Sequence, residues 1–381
     1  FFIEPNEPLS EQDYYKKVIE AIKPTIDFYT ELNSADSGEW EYWLINQLFE
    51  KWTGWMDKLF AKFAIVKLPA TVPVSVIVCT RNRASYLRQC LEMLYSLRCR
   101  PEEIIVVDNA PSDNSSKSVV SEFKDVKYIR EPKGGLSVAR NTGILNAKCP
   151  LIAFTDDDAT VHPLWPYRLW ETFENPSVDA MVGLVLSSQL ETEAQFIFEK
   201  YWSFNRGFTD KTFDKDYLNT TFKQGTPVWE IGAGVNMAFR KSIFDNVGLF
   251  DERLGAGASG CSEDSEIWYR ILTGGGAIRY NPRAIIYHEH RKDIQGLKKQ
   301  IFYYMKGHTA AALLQQLQHP GAGYRKRIFV GLPKYYWSVL VKEFPFYRFQ
   351  FRTVGVEIKG MFSGLIFYHK NKKLTSKNSK N

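Results

Sequence analysis

The chain has no run of the roughly eighteen uncharged apolar residues that a spanning helix requires, so no transmembrane helix is expected. Cysteine is scarce and scattered. Cys79, Cys90, Cys99, Cys149 and Cys261 show no paired spacing, which argues against a zinc ribbon, a redox Cys-x-x-Cys centre and a disulfide framework. Free thiols of this kind suit small core positions in a reducing compartment. Glycine is lacking where a dinucleotide fold would need it. The turn after the first apolar strand run reads Thr80-Arg81-Asn82-Arg83 rather than Gly-x-Gly-x-x-Gly, which disfavours NAD and FAD. The opening Phe-Phe-Ile-Glu-Pro has neither a basic start nor an apolar leader, so secretion is not expected. It also lacks Met, and the natural start is expected upstream.

Acidic residues are rare in the last quarter. Residues 291–381 hold 18 Lys and Arg against three acids, a net +15 within a whole-chain charge of +6. The same segment is rich in Phe, Tyr and Trp. Such a tail could meet anionic lipid or nucleic acid. It carries no nucleic-acid module, and its aromatics alternate with apolar runs, so lipid is preferred and nucleic acid is not expected. The expected location is cytoplasmic, peripheral at the inner face of the plasma membrane.

With 381 residues and 44% hydrophobic composition, the chain can bury a substantial core. Residues 11–32 and 38–66 read as helical, the second dense in Trp, and Pro69 and Pro73 mark a boundary. From residue 74 the pattern alternates. Strands are predicted at 74–78, 104–107, 126–129 and 151–154, with helices at 85–97, 113–123 and 135–147. That alternation predicts a mostly parallel sheet covered on both faces, with ligands beyond the carboxyl ends of its strands. The second half is less regular. Strands are expected at 180–186, 235–239, 277–280 and 284–287, helices at 162–175, 241–247 and 263–272, and a long excursion at 203–226. A helix from about 295 to 318 precedes amphipathic tail helices.

What is present in quantity is clustered acid. Asp156, Asp157 and Asp158 follow the apolar run Leu151–Phe154. Like charges at the mouth of a buried strand are costly, and a divalent cation relieves that cost. In extended backbone, Asp156 and Asp158 point the same way and can share one ion, while Asp157 points elsewhere. Oxygen ligands favour Mg²⁺ or Mn²⁺. Glu263 and Asp264 open a helical run; one can take a proton from a hydroxyl nucleophile, or both can serve as caps. His288 and His290 share a strand face, where one imidazole can complete a metal sphere and the other support it or bind phosphate. Asp108 ends a strand and can accept from a ribose or base edge, or cap the next helix. Arg140 can steady phosphate or form a surface salt bridge.

Taken in order, Val76-Ile-Val-Cys-Thr-Arg-Asn82, Val106-Val-Asp-Asn109, Gly135-Leu-Ser-Val-Ala-Arg-Asn-Thr-Gly143 and Phe154-Thr-Asp-Asp-Asp158 resemble a family 2 glycosyltransferase over roughly residues 73–292. The resemblance implies the α/β GT-A fold and an inverting hexosyltransferase. It implies that Thr80 and Asp108 hold the donor nucleotide, with Arg81, Asn82, Arg140 and Asp157 as further donor-binding candidates. It makes Asp156-x-Asp158 the metal motif, with His288 as a third ligand for Mn²⁺ or Mg²⁺. It makes Asp264 the base, with Glu263 beside it. Implied partners are a nucleotide-diphospho-sugar and a saccharide or lipid-linked acceptor.

The expected organisation is a helical extension over 1–70, a catalytic domain over 71–292 with halves 71–160 and 161–292, and a basic aromatic tail over 293–381. Two rival readings are a nucleotidyltransferase or sugar-phosphate-processing enzyme on a similar sheet, and a non-enzymatic nucleic-acid-binding protein. The first lacks the glycine-rich loop it would want after the first strand.

Overall fold

The computed structural model describes residues 68–343 and 351–372. The helices expected at 11–32 and 38–66 lie outside the described residues. Nine strands form one sheet in the order β3-β2-β1-β4-β8-β6-β9-β5, and β7 pairs with β9. They are β1 Thr71–Thr80, β2 Arg100–Asn109, β3 Val126–Glu131, β4 Leu151–Asp156, β5 Ala159–Val161, β6 Ala180–Ser187, β7 Lys211–Phe213, β8 Met237–Arg240 and β9 Ile278–His288. The helices that concern the site are α1 Ala84–Ser96, α2 Ser115–Val120, α3 Leu136–Asn146, α4 Trp165–Thr172, α5 Glu193–Trp202, α6 Lys215–Thr221, α7 Ile243–Val247 and α8 Glu263–Thr273.

The first half matches the alternating pattern. Val74 to Val78 in β1 are all buried, as a central parallel strand covered on both faces requires. Parallel pairing sets Thr80 opposite Asp108 and Cys79 opposite Asp156. Three chemistry-bearing positions therefore reach one end of the sheet together.

The second half departs from the mostly parallel expectation. Strand β8 runs antiparallel to both β4 and β6, and β5 and β7 run antiparallel to β9, so the whole sheet is mixed. The strands expected at 277–280 and 284–287 are one strand, β9. Its register against β6 slips between Gly183 and Leu184, where Asn281 and Ile285 are the successive partners. The irregularity absorbs Pro282, Arg283 and Ala284 without ending the strand. The excursion at 203–226 contains β7 and α6. Helix α5 starts with a capping box, Thr192 and Gln195 each bonding the other's backbone.

Beyond β9 lie α9 Ile294–Gln318, a turn at Tyr324–Lys326, a π-helical segment Arg327–Gly331, α10 Leu332–Glu343 and α11 Phe351–Asn371. Asp293 caps α9 by accepting from the Gly296 amide at 2.7 Å. Helix α11 lies along α9 through Gly360 and Gly364. A Cβ at 360 would stand 2.5 Å from the Phe302 carbonyl oxygen, and one at 364 would stand 2.5 Å from that of Lys306. Only glycine permits this approach of the two backbones. Among the described residues no helix is long and apolar enough to cross a membrane.

Candidate active site

One open cleft of about 2100 Å³ sits over the carboxyl ends of β1 and β4. Thr80, Arg81, Arg83, Asn109, Arg140, Asp156, Asp157, Asp158, Glu263, Asp264 and His288 all line it. Asp108 is fully buried and is not among the lining residues. Its Oδ2 accepts from the Tyr128 hydroxyl at 2.9 Å, and Oδ1 has no partner. Burial pushes its pKa up. Asn82 takes a left-handed conformation, φ 56°, and its Oδ1 accepts from the Ser112 amide and hydroxyl. It fixes the turn that follows β1.

The three aspartates divide their work. Both Asp157 oxygens are engaged, Oδ2 by the Thr80 hydroxyl at 2.6 Å and Oδ1 by Arg83 at 2.8 Å. Arg83 also donates to Asp158 Oδ2 at 2.6 Å. Asp158 Oδ1 is left facing His288 Nε2 at 3.8 Å. One ligand atom each from Asp156, Asp158 and His288 lies within 4.8 Å of the others. Burial raises Asp156 to about 7, with Arg140 opposing the rise. Burial works the same way on Asp158, but its charged neighbours outweigh it and hold that carboxyl below its usual range. Burial pushes His288 down to about 4, so near neutral pH it is an uncharged imidazole and Arg83 is the cation that steadies Asp158.

Two oxygens and a neutral nitrogen at this spacing fit a divalent cation such as Mg²⁺ or Mn²⁺. The buried, unpartnered Nδ1 of His288 leaves that ring free to be set by a ligand. His290 does not join it. It lies two residues beyond the end of β9, buried, with Nε2 3.0 Å from Glu199 and its ring against Phe198.

Opposite stand Glu263 and Asp264 at the start of α8. Ser262 enters the helix with φ 71°, and its side chain makes no cap bond. Asp264 accepts from the Gly234 amide at 2.9 Å and the Ser265 amide at 2.6 Å. Gly234 leaves room there, since a Cβ would come 3.0 Å from Arg140 and 3.2 Å from Asp264 and press on both side chains. Burial, then the Glu263 charge, raises Asp264 to about 6. Glu263 accepts from Arg140 at 2.5 Å, and both side chains are buried. Arg140 therefore forms a buried ion pair rather than a surface salt bridge, and it still lines the cleft. It spans from α3 to α8 and stacks near Phe154 and Phe250.

A family model described as Glycosyl transferase family 2 matches residues 75–248, a little under half of the chain. Residues 75–248 are thus similar to a family-2 glycosyltransferase domain. Its sheet, flanking helices and helical C-terminal extension make a GT-A-like α/β fold. The pre-mycofactocin glycosyltransferase of Mycobacterium tuberculosis (strain CDC 1551 / Oshkosh) is 27% identical over 278 residues, covering 69% of this chain and 54% of the relative. The succinoglycan biosynthesis protein ExoM of Rhizobium meliloti (strain 1021) is 28% identical over 267 residues, covering 65% and 77%. The chain thus spans about half the length of the first of these relatives. A solved mannosyltransferase, PcManGT from Pyrobaculum calidifontis in complex with GDP-Man and Mn²⁺, overlays with a TM-score of 0.48 at 16% identity, covering 85% of this chain and 96% of that one.

Sequence reading gave Arg83 no role, though it stands three residues after Thr80. Its link to Asp157 spans 74 positions, and no local pattern announces it. The same holds for Arg206, Trp229 and Arg327, which line the far side of the cleft from loops and the tail.

Proposed function

We propose that this chain is an inverting glycosyltransferase that moves a sugar from a nucleotide-diphospho-sugar to a hydroxyl of a saccharide or glycolipid acceptor. The observation that carries the reading is the placement of the Asp156–Asp158–His288 cluster and a raised, backbone-held Asp264 in one cleft of a family-2 domain.

Asp264 is the base. With both oxygens held by amides, its carboxylate is fixed in place, and a pKa near 6 is well matched to taking a proton at neutral pH. The proton of the acceptor hydroxyl passes to Asp264. The hydroxyl oxygen bonds to the anomeric carbon, the bond from that carbon to the diphosphate breaks, and the electron pair leaves with the nucleoside diphosphate. Attack comes from the face opposite the leaving group, so the configuration inverts and no covalent enzyme intermediate forms. Asp156, Asp158 and His288 would hold Mn²⁺ or Mg²⁺, which when bound supplies positive charge to the departing diphosphate. Thr80 and Asp157 position Arg83, which positions Asp158. Arg140 holds Glu263 in place beside the base.

The membrane partner belongs to the same reading. Phe329, Pro333, Trp337 and Val341 recur every four residues along the π-helical segment and α10, and all are exposed, Trp337 by 69%. Exposed Arg325, Lys326, Lys334 and Lys342 surround them. Val330, Lys334 and Tyr335 also line the cleft. An apolar stripe bordered by cations suits shallow insertion into an anionic bilayer, and its continuity with the cleft suits a lipid-linked acceptor.

The test is a panel of nucleotide-sugars incubated with the protein and Mn²⁺, read by mass spectrometry. One donor should release its nucleoside diphosphate slowly, dependent on Mn²⁺ and lost in Asp158→Asn. Failure of every donor to bind or react, with or without metal, would remove the reading.

A further inference from the structure

Among the described residues, two guanidinium groups on the acceptor side of the cleft lack a carboxylate partner. Arg206 follows α5. It donates to the Ser203 carbonyl at 2.5 Å and the Trp229 carbonyl at 2.9 Å, and its Nε is buried without a partner. Arg327 opens the π-helical segment and lays its guanidinium over the Trp229 indole, 4.2 Å from the ring centre. The Trp229 ring also meets His308 edge-on, with 4.6 Å between ring centres. Among the described residues neither arginine forms an ion pair with an acid. The acidic charge that reaches both is the exposed Glu230; Arg206 also feels Glu199 and Asp264.

Removing a guanidinium from water without a countercharge is unfavourable. Burial accordingly pushes both arginines below their usual pKa. His308 adds no compensating charge of either sign, since burial holds it neutral. Exposed Lys326 and Lys334 on the same wall make the local field more positive. A guanidinium fork matches the oxygens of a phosphate, and two forks braced on Trp229, one on its backbone carbonyl and one on its indole, match it better than a mobile lysine would.

We propose that Arg206 and Arg327, held on Trp229, form an anion subsite for a phosphate group carried by the acceptor. This rests on the glycosyl-transfer reading of the cleft and adds the chemistry of the acceptor: a phosphorylated saccharide or a saccharide on a phosphate-bearing lipid, not a neutral glycan. Arg206, Arg327 and Asp264 line the same cleft, so an acceptor anchored by its phosphate at the arginines can reach toward the base.

The experiment is calorimetric titration of the full chain with glucose 1-phosphate, dodecyl phosphate, glucose and dodecyl maltoside. The two phosphates should bind and their neutral counterparts should not. Tighter binding of dodecyl phosphate assigns the lipid-borne source, and tighter binding of glucose 1-phosphate the soluble one. Arg327→Gln should weaken phosphate binding by about tenfold or more, the scale of one charged hydrogen bond. Arg206→Lys keeps the charge without the fork and should weaken it less than Arg206→Gln. Since Arg206 also ties its loop to Trp229, Arg327→Gln decides if the Arg206 variants fail to fold.

Mn²⁺ with UDP, GDP, CDP or dTDP should bind the wild type and R327Q alike and should not displace glucose 1-phosphate. Displacement would assign the arginines to the donor and overturn the proposal. Unchanged phosphate affinity in R327Q would also overturn it, while leaving the donor reading intact. Arginine-dependent phosphate binding in a protein that binds none of the four nucleotides would do the reverse.

Discussion

Replacing Asp264 with Asn removes one ionisable carboxylate and little else. In the fold its pKa rises from 3.8 to about 6, mainly through burial and then through Glu263. About two units correspond to roughly 3 kcal/mol of penalty on the charged form at neutral pH. Asn relieves that penalty. It also turns an amide NH₂ toward one of the two backbone donors, Gly234 or Ser265, and an unmet buried donor costs about 1–3 kcal/mol. The two effects have similar size and opposite sign, so D264N should melt within a few degrees of the wild type. Its transfer rate at saturating donor should fall by at least about 10²-fold, the low end for loss of a general base.

The pH profile follows from the same group. The base works ionised, so activity is lost as pH falls through about 6. For a pKa near 6, ionisation drops from about 90% at pH 7 to about 10% at pH 5, a rate loss of about tenfold. Stability runs the other way. The folded carboxyl keeps its proton where the unfolded one has released it, so this group's contribution to stability falls as pH rises from about 4 to about 6. D264N should lack both dependences. Near-normal turnover with a clearly lowered melting temperature would refute the reasoning, make Asp264 structural and pass the base to Glu263 or Glu266.

Arg140→Met should lower the urea midpoint by an amount equivalent to about 3–5 kcal/mol, because Glu263 is left buried without its partner; adding Glu263→Gln should recover part of the loss. Trp337→Ser combined with Phe329→Ser should abolish sedimentation of the full chain with anionic vesicles without shifting its melting temperature, since both side chains are exposed; undiminished binding would move the membrane contact elsewhere. Gly364→Val should destabilise the α9–α11 pair by about 1–3 kcal/mol or more, as its Cβ would stand 2.5 Å from the Lys306 carbonyl oxygen; an unchanged thermal melt would show that the helices can separate freely.

The parallel half of the sheet was legible because burial on both faces forces the continuous apolar runs at 74–78, 104–107 and 151–154. The acids were legible as strand-end and helix-start residues. The second half was less so. The pairs β4–β8, β6–β8 and β5–β9 are antiparallel contacts between distant segments, and a four-residue strand such as β8 or a three-residue one such as β5 carries too few positions to show a period. The bulge in β9 hid one strand behind Pro282. Long-range ion pairs were invisible for a related reason: Arg83–Asp157 and Arg140–Glu263 join residues 74 and 123 positions apart, so the partner of each arginine is fixed only once the sheet has brought the strand ends together.

Those two arginines explain how a single cleft holds so many acids. Asp157 spends both oxygens on Thr80 and Arg83, and Arg83 reaches from there to one oxygen of Asp158. Arg140 answers Glu263, leaving Asp264 to be held by amides alone. Each arginine thus settles one acid of a pair and leaves its neighbour free for another task. What remains in the first cluster is Asp156, the second oxygen of Asp158 and an uncharged His288, a set that suits a divalent cation. What remains in the second is a single carboxylate raised toward neutral pH, which suits a proton acceptor. In the proposed reading, metal and base are separated by where the arginines stand, and the sequence encodes that division through Arg83 and Arg140 as much as through the acids themselves.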